Sequence, residues 1–226
     1  MNLFSAWLVH LYTASGALAA FFGSTAVFAG RYREAFLLMA AATFVDATDG
    51  MLARLARVKE RLPGVDGARL DDIVDYATFV FLPVLLLYHA GSLPAGWGGL
   101  VASAVLISSA YGFASTDAKT VDYYFTGFPC YWNIVALYLY VLRFPPVTNA
   151  IVLLTLSGMV FWRVKYVYPS RTPVLRPLTL TLAWLWGMMI VAMILALPDV
   201  PPALTIASLL FPLYYVALSI ALQFRR

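Results

Sequence analysis

The sequence predicts an all-α, polytopic integral membrane bundle of about eight transmembrane helices, forming one domain over residues 1–226. Three observations carry that prediction. Hydrophobic residues make up 62% of the chain and charged residues 12%, against about 25% charged in an ordinary soluble domain. The apolar residues come in runs of about 20, the length of a helix that crosses a bilayer, and not in the short periodic stripes of a water-soluble fold. Pro and Gly cluster between the runs, and no connection is long enough to hold a second domain.

In order, the runs are Leu8 to Gly30, Glu34 to Ala56, Ala68 to Gly91, Ala95 to Thr116, Phe125 to Leu142, Val147 to Trp162, Pro177 to Leu197 and Ala203 to Phe224. The first follows Met1 to Trp7, which lacks the basic segment of a secretory signal, so it is expected to be a retained span. Acidic residues mark the end of the second run and the start of the third. Ser92-Leu93-Pro94-Ala95-Gly96 separates the third from the fourth, Phe144-Pro145-Pro146 the fifth from the sixth, and Pro198-Asp199-Val200-Pro201-Pro202 the seventh from the eighth. The fifth and sixth runs are the shortest.

Basic residues concentrate on the cytoplasmic side of membrane proteins. Eight spans with both termini inside place Arg54, Arg57, Lys59, Arg61, Arg69, Lys119, Arg163, Lys165, Arg171, Arg176, Arg225 and Arg226 there, leaving Arg31, Arg33 and Arg143 outside. Topology and anionic lipid therefore account for the net charge of +4, and no nucleic-acid partner is called for. The single cysteine, Cys130, rules out an internal disulfide, and no Cys/His cluster has zinc-site spacing. His10 and His89 stand apart from the acidic residues and are read as structural.

Seven of the 11 acidic residues lie between Asp46 and Asp75. An ionised Asp in a membrane segment costs at least ~2.5 kcal/mol on insertion scales, so Asp46, Asp49, Asp71 and Asp75 need cations or water around them. At about 100° per residue, Asp46 and Ala53 share a helix face, with Asp49 and Gly50 within roughly 60° of it, and Asp71 and Asp75 stack one turn apart. A short basic loop makes the two helices adjacent and antiparallel, so four carboxylates face one space. Hard carboxylate oxygens suit Mg²⁺ or Mn²⁺, and two ions about 3.5 to 4 Å apart would balance the charge and leave positions for phosphate oxygens. Gly50 and Gly67 would let a diphosphate approach the backbone, Ala53 would leave room on the same face, and Arg54 would meet phosphate charge. Each has a plainer reading as well: a packing or turn glycine, or a positive-inside anchor. A proton relay or ion-coupled transporter also uses intramembrane aspartates, but it predicts inverted repeats, which the sequence lacks.

Asp46-x2-Asp49-Gly50-x2-Ala53-Arg54 followed by Gly67-x3-Asp71-x3-Asp75 resembles the signature of the CDP-alcohol phosphotransferase family at every motif position. The gap of twelve residues between Arg54 and Gly67 is longer than is usual in that family and is similar to its phosphatidylcholine-forming branch. The likeness to that branch extends through Val58 to Pro63, Asp66 to Ala68, Leu70 to Tyr76 and Phe125 to Asn133. The resemblance implies transfer of a phosphatidyl group from CDP-diacylglycerol to choline, releasing CMP, with two divalent cations, Mn²⁺ or Mg²⁺, as cofactors. Asp46, Asp49, Asp71 and Asp75 would hold the metals, and Asp75 would also serve as general base. Asp49, Gly50, Ala53, Arg54 and Gly67 would bind the CDP-lipid. The site would face the cytoplasm from a bacterial inner membrane, and a homodimer is an expectation of the same kind. Another acceptor, such as serine, inositol phosphate or glycerol phosphate, remains the alternative within the family.

Choline carries a quaternary ammonium with no hydrogen to donate, so aromatic faces are the expected way to hold it. Tyr123, Tyr124, Phe128, Tyr131 and Trp132, in a dense aromatic stretch, and Tyr76, next to Asp75, are the candidates. Tyr and Trp at the ends of spans are equally interfacial anchors. Asp117 and Asp122 suit either choline attraction or a solvated loop. The cations Arg163, Lys165, Arg171 and Arg176 suit either phosphate binding or topology.

Overall fold

The computed structural model describes residues 3–118, 120, 124–169 and 171–223. Its helices are α1 (Leu3–Ala14), α2 (Gly16–Phe28), α3 (Tyr32–Leu55), the short α4 (Val58–Arg61), α5 (Gly67–Asp75), α6 (Leu82–His89), α7 (Gly98–Ala114), α8 (Trp132–Leu142), α9 (Pro146–Val160), α10 (Arg176–Leu195), α11 (Pro202–Ser208) and α12 (Leu210–Gln223). A π-helical turn, Tyr76–Phe81, joins α5 to α6 without interruption. This is the helical bundle expected from the sequence. Leu3–Phe28, Tyr32–Leu55, Arg176–Leu195 and Pro202–Gln223 are long and apolar enough to cross a membrane, and Gly98–Ala114, Trp132–Leu142 and Pro146–Val160 are shorter apolar helices. At 1.5 Å per residue, α3 is about 36 Å long, more than the ~30 Å of bilayer hydrocarbon. Its surface agrees: Leu100, Ile107, Trp184 and Met188 are each more than half exposed, as helices bathed in lipid require and water does not favour. The chain is a membrane protein.

The chain forms two compact units, one comprising Met1–Ser92 with Trp132–Tyr140, the other Leu93–Tyr131 with Val141–Arg226. In the first, α2 packs on α3 and on the rod formed by α5, the π turn and α6, while α1 packs on both α3 and α5. Two glycines make the α2 contact possible. A side chain at Gly16 would collide with Val74, and one at Gly23 with Leu82; small residues at such points let membrane helices approach closely. The rod begins where Asp66 caps α5, accepting from the Ala68 and Arg69 amides at 3.1 and 3.3 Å, which satisfies donors that the first helical turn leaves open. The π turn has a local cause in Pro83. Proline has no N–H for the carbonyl four residues back, and its ring crowds that carbonyl, so a wider turn just ahead relieves both.

In the second unit, β1 (Tyr124–Thr126) pairs antiparallel with β2 (Lys165–Val167). Here the structure corrects the sequence reading, which began a span at Phe125. Gly127 takes a left-handed φ of +77°, a side chain there would strike the Val160 carbonyl, and Pro129 follows, so no helix can continue through this stretch. The helix of the fifth apolar run, α8, starts only at Trp132. The ribbon is tied to α12: the Val167 amide donates to Ser219 Oγ at 3.1 Å and Tyr215 donates to the Val167 carbonyl at 2.9 Å.

Candidate active site

The acidic residues meet within the first unit. Oxygens of Asp46 and Asp49, from α3, and of Asp71, from α5, all lie within 4.8 Å of one another. Asp46 and Asp49 are three residues apart and so share a helix face, while α1 closes the space from a third side. Asp49 is 7% exposed, and Asp46 and Asp71 are half-buried. Three carboxylates at about 5 Å repel by roughly 3 kcal/mol per pair at an effective dielectric of ~20. A cation placed among them would offset that repulsion.

The donor set fits a hard divalent ion. Magnesium takes oxygen ligands at about 2.1 Å, which puts opposite ligands on one ion about 4.2 Å apart, close to the spread observed. Asp75 stands one turn beyond Asp71 on α5, half-buried, and is not among the three whose oxygens converge.

The motif's other residues part company. At Gly50 there is room for a side chain: among the described residues a methyl would touch only Arg54 Nη1, at an ordinary 3.5 Å, so the guanidinium lies over the Gly50 face. Gly67 is occupied by protein: a methyl there would sit 3.1 Å from His10 Cε1. Ala53, half-buried, packs with Leu52 and Leu62 against the apolar cluster of Ala6, Val9, Ala56 and Val58.

One residue of α1 that the sequence did not single out reaches the acidic group: Thr13 Oγ1 donates to Asp49 Oδ2 at 2.7 Å, short enough for a charge-assisted bond, and Thr13 is 6% exposed. His10, read from the sequence as structural, shares its buried face with Ala6, Val9 and Thr13.

The aromatic candidates fall in both units. Tyr76, half-buried, opens the π turn, and Trp132, 1% exposed, is sealed in the first unit. Tyr124, Phe128 and Tyr131 belong to the second unit. The Lys165 ammonium lies 5.4 Å from the Tyr124 ring centroid, the half-buried Phe128 donates its amide to the Met159 carbonyl at 3.0 Å, and Tyr131 meets Tyr215 edge-on at 6.2 Å. Tyr123 and Asp122 lie outside the described residues. Asp117 is paired with Arg163 at 3.1 Å; the hydrogen bond from Ser115, and then that guanidinium, hold its carboxyl below the ordinary value.

No protein-family model matches the chain. It is similar to proteins named phosphatidylcholine synthase from several bacteria. With that of Legionella pneumophila it shares 46% identity over 169 residues, 74% of this chain and 66% of that protein. The likeness to the Rhizobium meliloti protein, 35% identical over 218 residues, takes in 96% of this chain and 90% of the relative. The chain belongs to the phosphatidylcholine synthase family. The Borreliella burgdorferi phosphatidylcholine synthase, 34% identical over 98% of this chain and 94% of its own length, extends the similarity through both units. Membership in the phosphatidylcholine synthase family thus covers the α1, α3 and α5 residues that build the acidic site together with the strand ribbon and α10 to α12.

Proposed function

We propose that this protein transfers a phosphatidyl group from CDP-diacylglycerol to choline, giving phosphatidylcholine and CMP. The observation that carries the reading is the convergence of Asp46, Asp49 and Asp71 from two helices within a membrane protein, in a chain whose relatives are named for that product. Asp46, Asp49, Asp71 and Asp75 would hold two divalent cations, Mn²⁺ or Mg²⁺, which would supply charge neutralisation at the phosphate oxygens during in-line displacement.

The rest is done by the chain's own groups. The open face at Gly50 admits the diphosphate, and Arg54, lying over that face, meets its charge. Asp75, one turn from Asp71 and outside the convergent trio, accepts the proton of the choline hydroxyl as its oxygen forms a bond to the phosphorus that carries diacylglycerol. The bond from that phosphorus to the CMP oxygen breaks as CMP leaves. The ring of Tyr76, next to Asp75 in the same unit, offers the quaternary ammonium an aromatic face. In this reading the site faces the cytoplasm from a bacterial inner membrane; the basic loop between α3 and α5 supports the cytoplasmic side.

The test is turnover of purified protein with CDP-diacylglycerol, Mn²⁺ and a panel of labelled alcohols. Label from choline should appear in lipid with stoichiometric CMP. Incorporation of serine, inositol phosphate or glycerol phosphate in preference to choline would reassign the acceptor, and no incorporation of any of them would remove the reading.

A further inference from the structure

His10 has no role in the chemistry above, yet its surroundings are unusual. It is 6% exposed, and its Nε2 is fully buried with no hydrogen-bond partner among the described residues. Native folds pair nearly all buried polar atoms, so one left open calls for an explanation. An ionisable side chain in a membrane segment marks a functional position by default.

Its location says which function. One turn further along the same face of α1, Thr13 holds Asp49. The His10 ring itself rests on Gly67, where an added methyl would lie 3.1 Å from Cε1 and 3.6 Å from Nδ1, and Gly67 begins the turn of α5 that leads to Asp71. The imidazole is thus lodged between α1 and the first turn of α5, one helical turn from Thr13 on the one side and from Asp71 on the other. A substrate held to those carboxylates through divalent cations presents phosphate oxygens, which are acceptors only, and a neutral imidazole N–H is a matching donor.

We infer that His10 is a positioning residue for the CDP-lipid, its imidazole N–H donating to a diphosphate oxygen, and that residue 67 is glycine because the His10 ring fills the space a side chain would need. This rests on the phosphatidyl-transfer reading and adds to it a residue from α1. It also changes the part played by Gly67, from admitting the diphosphate to seating the group that grips it.

The experiment compares wild type, His10→Phe and His10→Gln as purified proteins with Mn²⁺. Phe keeps the ring volume without nitrogen, and Gln returns an N–H near the Nε2 position. Two readouts are taken: initial rates varied separately against CDP-diacylglycerol and choline, and thermal melting with and without CDP. Expected for His10→Phe are a CDP-diacylglycerol KM raised about tenfold or more, a choline KM within about twofold, an unliganded melting point no lower than wild type, and a diminished stabilisation by CDP. His10→Gln should recover most of both effects. A wild-type KM and a full CDP shift in His10→Phe would overturn the assignment. So would an equal loss of unliganded stability in both variants with KM unchanged, which marks a purely structural histidine. Should His10→Phe fail to fold, Gly67→Ala takes its place: the methyl displaces the ring and raises the same KM, and an unchanged KM there overturns the proposal. Wild type that gains no stability from CDP with Mn²⁺ would refute the CDP-lipid reading itself, and the role of His10 with it, whereas a wild-type shift fully retained in His10→Phe refutes only the latter.

Discussion

Thr13 on α1 donates its hydroxyl to the carboxylate of Asp49 on α3 across 2.7 Å, with both side chains more than nine-tenths buried. The bond fixes which way Asp49 points and ties the first helix of the chain to the acidic site. Groups that orient a metal ligand typically carry about 10- to 100-fold in metal affinity or activity. Thr13→Val, of nearly the same shape, should therefore lower turnover by about that factor at limiting Mn²⁺ and recover part of it as Mn²⁺ is raised. Thr13→Ser, which keeps the hydroxyl, should stay near wild type. A Mn²⁺ titration of the three proteins checks this.

Gly50 and Gly16 should respond to alanine in opposite ways. A methyl at Gly50 meets only Arg54 at 3.5 Å, while one at Gly16 collides with Val74 on α5. Gly50→Ala should melt like wild type and raise the CDP-diacylglycerol KM about tenfold by narrowing the face the diphosphate needs. Gly16→Ala should destabilise by about 1 to 3 kcal/mol through overpacking. Melting curves alongside substrate kinetics separate the two cases.

Trp132 and Tyr76, aromatic residues of the same unit, should fail differently. Trp132 is 1% exposed, so Trp132→Ala should cost about 3 to 5 kcal/mol of stability without singling out a substrate. Tyr76, half-buried and next to Asp75, offers a face; Tyr76→Leu should raise the choline KM up to about thirtyfold, the equivalent of a lost ~2 kcal/mol cation–π contact, and leave the CDP-diacylglycerol KM unchanged. Kinetics against each substrate in turn provide the check.

That the chain is a helical membrane bundle was legible because lipid imposes a length and a composition on every span; four helices have the length to cross and three more are apolar but shorter, against the eight spans expected. The acidic site was legible too, because Asp46, Asp49 and Asp71 carry both the intramembrane penalty and helical spacing. What sequence spacing could not convey was packing between segments remote in the chain. That Gly67 seats His10, that Thr13 reaches Asp49, and that Ala53 joins the Ala6 and Val9 cluster are contacts set by how α1 crosses α3 and α5. The strand at Tyr124–Thr126 escaped notice because its partner, Lys165–Val167, lies on the far side of two helices in sequence.

Membrane orientation is open to direct measurement. With most basic residues on one side, single cysteines placed in the 57–64 loop, in a protein lacking Cys130, should resist an impermeant reagent applied to intact cells. One placed at Gly96 should react. The reverse pattern would invert the topology.

If the convergent carboxylates carry the transfer, Asp49, buried within that group, cannot be spared. Purified Asp49→Asn and Asp72→Asn are assayed with CDP-diacylglycerol, labelled choline and saturating Mn²⁺ beside wild type, with melting curves to confirm folding. Folded Asp49→Asn should form no measurable phosphatidylcholine, while Asp72→Asn should stay within about an order of magnitude of wild type. Near wild-type synthesis by Asp49→Asn would contradict that role of the carboxylates.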